Sequence, residues 1–217
     1  MWVYLSHVLS QRTPSYGGGP GLTIQPYRQL ARGDSNNSYI LTLFNHLGTH
    51  VDAPNHFIPN GRTISSLSPE ELFFHSPILV ETPKDAGELL RKEDLEVYQD
   101  ILGEADILLL RTGFQRYRDV EPDLFMNRGP CLTAGAARYL KSFPSLRAVG
   151  VDMISISSPL HREEGRSAHR ELLSGRGFLI VEDMDLMGKP THLKRVLVAP
   201  LMVEGCDSSP CLVLAEV

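Results

Sequence analysis

The feature that most limits the architecture is a series of short, unbroken apolar runs. They are "PILVETP" from Pro77, "DILLLRTG" from Asp106, "LRAVGVDMISI" from Leu146, "FLIVEDMD" from Phe178, "RVLVAPLMVEG" from Arg195 and "CLVLAEV" from Cys211. Each is short, rich in Val, Ile and Leu, and closed by a charge, a Gly or a Pro. Such runs read as strands, and "DILLLRTG" and "LRAVGVDMISI" are of the continuous kind found in buried strands. "NSYILTLFNHLG" from Asn37 adds another strand candidate. Three segments show helical signals instead. "KEDLEVYQDILGE" has acids in its first turn, and "TAGAARYLKSF" opens on a Thr able to cap. "SAHRELLSGRG" opens on Ser167, with Gly175 or Gly177 as its stop. Strands outnumber helices and the two interleave. This predicts a mixed α/β, strand-rich fold forming a single domain over residues 1–217. No repeat or low-complexity segment divides it, and "TPSYGGGPG" near the start reads as a loop.

Composition removes several function classes. With 42% hydrophobic and 22% charged residues, the chain has ordinary globular usage and no disorder signature. The net charge of -5 and the lack of a basic cluster argue against nucleic acid as a partner. No apolar run approaches the roughly 18 residues of a membrane span. "MWVYLSHVLSQR" lacks the early positive cluster and apolar stretch of a signal peptide, so a cytoplasmic location is expected. The cysteines are Cys131, Cys206 and Cys211, an odd count with no CxxC pair, which fits free thiols in a reducing compartment. Cys206 and Cys211 flank residues 207–210, a small polar stretch ending in Pro and read as a turn, and a bridge there is the less favoured alternative.

The chemistry concentrates in "HLGTHVDAPNHF", His46 to Phe57, which holds three of the eight histidines and an aspartate. Imidazole and carboxylate are ligands that Zn²⁺ and Mn²⁺ accept. On a strand, His50 and Asp52 face the same side about 7 Å apart, within reach of one ion. His46 and His50 would be about 13 Å apart on a straight strand and about 6 Å apart on a helical turn. To share an ion they need a bend. Gly48 permits it and is expected to leave room for the ion, with Pro54 ending the strand and His56 swinging back from a loop. The alternative is a packed polar turn. Downstream, His169 falls on a helix, and Glu182 ends an apolar strand. A buried carboxylate there needs a partner, either a metal or a nearby Arg. Asp152, also at a strand end, is a candidate to orient a ligand. His161 reads as an exposed loop residue, and His7, His75 and His192 as structural or solvated. Cys131 reads as a small buried hydrophobe.

These residues resemble a known family. "HLGTHVDAPNHF" is similar to the HxGTHxDxPxH signature of cyclase-type metal-dependent hydrolases, which include bacterial kynurenine formamidase (arylformamidase) and isatin hydrolase. "YLSHVLSQRTPSYGG", "ILLLRTGF", "AVGVDMISI" and "AHRELLSGRGFLIVEDM" resemble further segments of that family in the same order, so the likeness covers nearly the whole chain. It implies a swivelling β/β/α fold, a homo-oligomer (a dimer or larger), and a site with two ions, Zn²⁺ or Mn²⁺. Carried over, His46, His50 and Asp52 match ligands of the first ion. Asp52 also bridges to the second, His169 matches a ligand of that ion, and Glu182 is shared. His56 matches the catalytic acid/base, and Tyr16 stands where formamidases carry a substrate-contacting Trp. Ser157 stands where many members have Asp. The implied reaction is hydrolysis of a small-molecule amide, with N-formylkynurenine giving kynurenine and formate, a step of tryptophan catabolism. A cyclic amide or lactone at the same site is the alternative substrate. A non-catalytic metal-binding domain is the alternative of another class.

Overall fold

The computed structural model describes Met1–Val217. In chain order the strands are β1 (Trp2–Tyr4), β2 (Thr23–Arg28), β3 (Ser38–Thr42), β4 (His50–Asp52), β5 (Phe73–Phe74), β6 (Pro77–Glu81), β7 (Leu89–Leu90), β8 (Ile107–Arg111), β9 (Cys131–Leu132), β10 (Ala148–Val151), β11 (Leu179–Glu182), β12 (Arg195–Pro200) and β13 (Ser208–Glu216). The helices are α1 (Pro69–Leu72), α2 (Lys92–Glu96), α3 (Gln99–Leu102), α4 (Pro122–Asn127), α5 (Ala134–Lys141) and α6 (Arg162–Leu173).

One sheet runs β5-β12-β13-β4-β11-β10-β8-β6, with β1 beside the far end of β13. Its two halves differ. β6, β8, β10 and β11 are parallel, because helical crossovers return the chain to the same end each time. From β11 onward, β4, β13, β12 and β5 alternate in direction.

The unbroken apolar runs of the parallel strands are explained by what covers each face, whereas β12 and β13 alternate between buried and more exposed residues. Leu79, Ile107, Leu109, Leu179 and Val181 share one core with Val196, Val198, Val213 and Ala215 of β12 and β13. The alternate residues Val80, Leu108, Leu110, Val149, Val151 and Ile180 share a second core with Leu95, Leu102, Ala136, Ala137, Leu140 and Leu172 of the helices. The parallel strands therefore lie between a layer of strands and a layer of helices, the β/β/α arrangement expected. Burial on both sides removes the need for polar alternation. Packing is close enough that a Cβ added at Gly150 would lie 2.4 Å from Met184 Sδ.

Several local expectations change. "KEDLEVYQDILGE" is two short helices, broken between Glu96 and Gln99. α6 starts at Arg162, five residues before Ser167, behind a short turn that Ser158 caps. Only Ser38–Thr42 of "NSYILTLFNHLG" is strand. The stretch between Cys206 and Cys211 is not a turn: Ser208, Ser209 and Pro210 pair with Asp52, Val51 and His50. Cys206 and Cys211 are both free, as is Cys131. Thr133 does cap α5, accepting from the Ala136 backbone N–H. No helix is long and apolar enough to cross a membrane.

Candidate functional site

The site forms at the seam between the two halves of the sheet. β4 and β11 are antiparallel neighbours there, with His50 opposite Glu182 and Asp52 opposite Ile180. β4 thus supplies two donors two residues apart on one side, and the last residue of β11 supplies a third. α6 brings His169 over them. It comes this close because Gly165 has no side chain: a Cβ there would lie 2.1 Å from Ser157 Oγ and 2.5 Å from its Cβ.

Two imidazoles are locked by backbone. His50 Nδ1 donates to the Gly48 carbonyl at 2.7 Å and His169 Nδ1 to the Gly165 carbonyl at 2.8 Å. That leaves Nε2 of each as a bare lone pair when the ring is neutral. Both lone pairs face carboxylates: His50 Nε2 is 3.4 Å from Glu182 Oε2, and His169 Nε2 is 3.4 Å from Glu182 Oε1 and 3.8 Å from Asp52 Oδ2. Glu182 Oε1 also accepts from Ser155 Oγ at 2.9 Å and the Ile156 N–H at 2.7 Å. Acceptor facing acceptor is unstable without a positive charge between them.

Asp52 makes the same point more strongly. It is fully buried, and neither oxygen accepts a well-directed hydrogen bond, although His46 Nδ1 lies 3.0 Å from Oδ1. A buried carboxylate left so costs several kcal/mol unless a cation meets it, of the order found for unpaired buried charge. The donors group twice around this residue. His50, Asp52 and Glu182 form an inner group, and His46, Asp52 and His56 an outer one. In each, one ligand atom per residue lies within 4.8 Å of the others. The residues present therefore fit divalent cations, with Asp52 common to both groups.

Protons compete for these places. Burial works against charge on His46, yet the carboxylates of Asp207 and Asp52 overcome it and raise its pKa to about 10. Burial also opposes charge on His50 and His169, and Glu182 and Asp52 raise both. Desolvation would lift Glu182, but His169 and His50 bring it down to about 2. Asp52 is likewise held well below the carboxylate range, against its burial, by His46, His56 and His50.

The sequence brought Tyr16, His46, His50, Asp52, His56, His169 and Glu182 forward, and all seven converge here. Six line a cavity of about 480 Å³, with Asp52 buried behind them. Tyr16 closes one wall, its hydroxyl 3.3 Å from Ser157 Oγ. Gly48 bends the chain as expected, with φ of 65°. The space a side chain would take there is filled by Leu9 and Thr13, however, and offers no room for an ion. His46 and His50 also fall in different donor groups, because the Gly48 carbonyl turns the His50 ring toward Glu182.

Asp152 does not act on the site. It accepts from the Thr112 N–H and hydroxyl and the Gly113 N–H, and so pins the turn after β8. His161 is part-buried rather than loose, its ring against the Gly87 carbonyl at 2.8 Å. His75 and His192 are exposed, and His7 is half-buried. Burial pushes the Cys131 thiol up to about 12, which suits a packed hydrophobe and no nucleophile.

One residue escaped the sequence reading. Asp207 Oδ2 lies 3.0 Å from His46 Nε2 and 2.8 Å from His56 Nδ1, and these contacts hold its carboxyl well below the usual range. Nothing local in residues 204–210 signals this. The pairing exists only because β13 enters the sheet directly beside β4.

The family model described as putative cyclase matches residues 3–158 of this chain. The chain belongs to that family. A kynurenine formamidase from Bacillus thuringiensis is 29% identical over 210 residues, covering 96% of this chain and 94% of the relative. The fold matches an isatin hydrolase bound to the product analogue thioisatinate with a TM-score of 0.84 at 22% identity, covering 100% of this chain and 92% of the other. It also matches a potential metal-dependent hydrolase with cyclase activity with a TM-score of 0.75 at 22% identity, covering 99% and 96%.

Proposed function

We propose that this cyclase-family chain is a metal-dependent hydrolase that cleaves a carbon–nitrogen amide bond, with N-formylkynurenine as substrate and kynurenine and formate as products. The observation that carries this reading is Asp52. It is a buried carboxylate without directed donors, shared by two donor groups that open into one cavity. A structural ion site would be closed, with no cavity above it and no histidine left over.

His46, His50, Asp52, His169 and Glu182 would hold Zn²⁺ or Mn²⁺, two ions per subunit. Bound there, a divalent ion supplies Lewis acidity and eases deprotonation of water near neutral pH. His56 handles the other proton. Its Nδ1 is fixed by Asp207, which leaves Nε2 as the ring's free nitrogen. His56 takes a proton from the water that adds to the formyl carbon and gives it to the leaving nitrogen as the C–N bond breaks. Tyr16, Phe44 and Phe57 offer aromatic faces in the cavity wall for an aryl ring, with Phe57 already stacked on His169 at a centroid distance of 4.6 Å. The Tyr16–Ser157 pair favours a second substrate class at the same site. Two hydroxyls on one wall suit the ring oxygen of a lactone or the ring N–H of a cyclic amide.

The reading extends to assembly as a homo-oligomer. The β2–β3 ribbon is exposed along its length, with Tyr27 66%, Tyr39 54%, Ile40 50% and Leu41 57% accessible. A bare two-stranded ribbon is marginal in water and gains from cover by another copy.

The test is hydrolysis of N-formylkynurenine by metal-stripped protein, before and after adding Zn²⁺ or Mn²⁺. Turnover restored by one ion supports the formamidase reading. Ion bound without turnover discards that substrate in favour of cyclic amides and lactones. Unfolding on metal removal would instead support a structural ion.

A further inference from the structure

Arg162 is one of two cations of the cavity wall, with Arg166, that the hydrolytic reading does not use. It opens α6 and lines the same cavity as Tyr16, Ser157 and His169. Arg166 and His169 follow it at four and seven residues, so the three form one stripe down the helix facing the cavity. Arg166 is occupied: its guanidinium meets Glu163 at 2.6 Å. Arg162 has no carboxylate partner of its own in the protein and lies exposed on the cavity wall.

Arg162 also stands against local helix chemistry. The first position of a helix meets the positive end of the macrodipole, where acids are favoured and Glu163 and Glu164 already sit. A second Arg four residues on adds like-charge repulsion. Helix stability alone would not select a cation here. Placing one where it costs stability and faces the cavity points to a ligand.

We propose that Arg162 determines specificity, pairing with a carboxylate carried by the substrate several bonds from the amide that is cut. The distance sets that spacing. Seven residues of helix place the Arg162 backbone roughly 10 Å along the axis from His169. The guanidinium fork then meets an anion beyond an aryl ring that rests on Tyr16 or Phe57, and a planar carboxylate matches it with two hydrogen bonds. This inference rests on the amide-hydrolase reading and narrows it to aryl amides that carry a carboxylate.

The experiment compares kcat/KM of the metal-loaded enzyme on N-formylkynurenine and on neutral formanilide, in wild type, Arg162→Met, Arg162→Lys and Arg162→Glu. We expect the wild-type preference for the carboxylate compound to fall about tenfold or more in Arg162→Met, chiefly through KM, to be partly kept by Arg162→Lys, and to fall further in Arg162→Glu. Arg162→Glu restores an acid to the start of the helix, so its thermal midpoint should not fall, which separates lost selectivity from lost folding. An unchanged preference across the variants overturns the proposal. Should the wild type cleave neither compound, the formamidase reading fails separately. Arg162 is then judged by calorimetric binding of 4-phenylbutyrate against 4-phenylbutanamide. A preference for the anion that vanishes in Arg162→Met sustains the proposal, and one that persists, or is absent from the start, overturns it.

Discussion

The inner and outer donor groups share Asp52 and otherwise differ in every respect that matters. His50 and Glu182 of the inner group, and His169 beside them, are 2–3% exposed, sit on β4, β11 and α6, and have their orientation set by backbone groups. The side chains of His46 and His56 of the outer group, and of Asp207 that joins them, are 14%, 25% and 28% exposed, and all three residues lie outside the strands of the sheet. There two rings are tied to one another through a single carboxylate rather than to the main chain. The inner group is therefore rigid and dry, suited to holding an ion. The outer group is adjustable and wet, suited to meeting substrate and passing protons.

The largest effect should come from the residue common to both. Asp52→Asn keeps the shape and removes the charge, so metal analysis should show both ions lost and activity down by more than the roughly 10–100-fold typical of an outer partner. Retention of one ion would break the symmetry assumed for Asp52. His56→Ala should lower turnover by about 10²–10⁴ while metal content stays whole. Loss of an ion in that variant would make His56 a ligand, as its place beside His46 and Asp52 allows, and would move the proton-transfer role elsewhere. Asp207→Asn should loosen only the outer rings. Turnover falls about 10–100-fold, and an ion held by the inner group keeps its affinity.

The contrast between the groups also decides what could be read from sequence. The parallel strands were legible because burial on both faces writes unbroken apolar runs, and His50 with Asp52 was legible because strand spacing puts both on one side. Asp207 was not, since its partners lie 161 and 151 residues away and meet it only through the β13–β4 pairing. The stretch that follows it misled for the same reason. Small polar residues signal a turn locally, but these pair with β4, and Ser208 and Ser209 are buried. Gly48 was understood for its bend and misjudged for its space, because nothing in the sequence says that Leu9 packs beneath it. The start of α6 was missed because Arg162 at a helix N-terminus contradicts the usual charge preference.

A backbone change can test whether the inner group is as rigid as its hydrogen bonds imply. Gly165→Ala puts a methyl into Ser157, whose Cα is 2.7 Å from the added Cβ, so the helix must shift. The expected cost is about 1–3 kcal/mol of stability, with His169 displaced and metal affinity reduced. Gly175→Ala at the far end of α6 tests only φ strain, since nothing lies within 4 Å there, and should leave metal affinity alone.

The smallest expected effect is a pH dependence that opposes stripped and loaded protein. His46 has its pKa raised from 6.5 to about 10 by Asp207 and Asp52. A raised imidazole contributes stability that is fully present below its unfolded value and lost as pH rises through its folded one. Metal-stripped protein should therefore lose thermal stability progressively between pH 6.5 and about 10. Glu182, lowered to about 2, acts with the opposite sign: its contribution is present above the ordinary carboxylate range and lost as pH falls toward that value. Metal binding reverses the alkaline limb. A cation displaces the imidazole protons, so raising pH removes its competitor and tightens binding. Melting curves at pH 6.5, 8 and 9.5 should accordingly fall for stripped protein and hold or rise for protein with saturating metal. Parallel curves would mean that the ion does not compete with the His46 proton, and the outer group would then serve proton transfer alone.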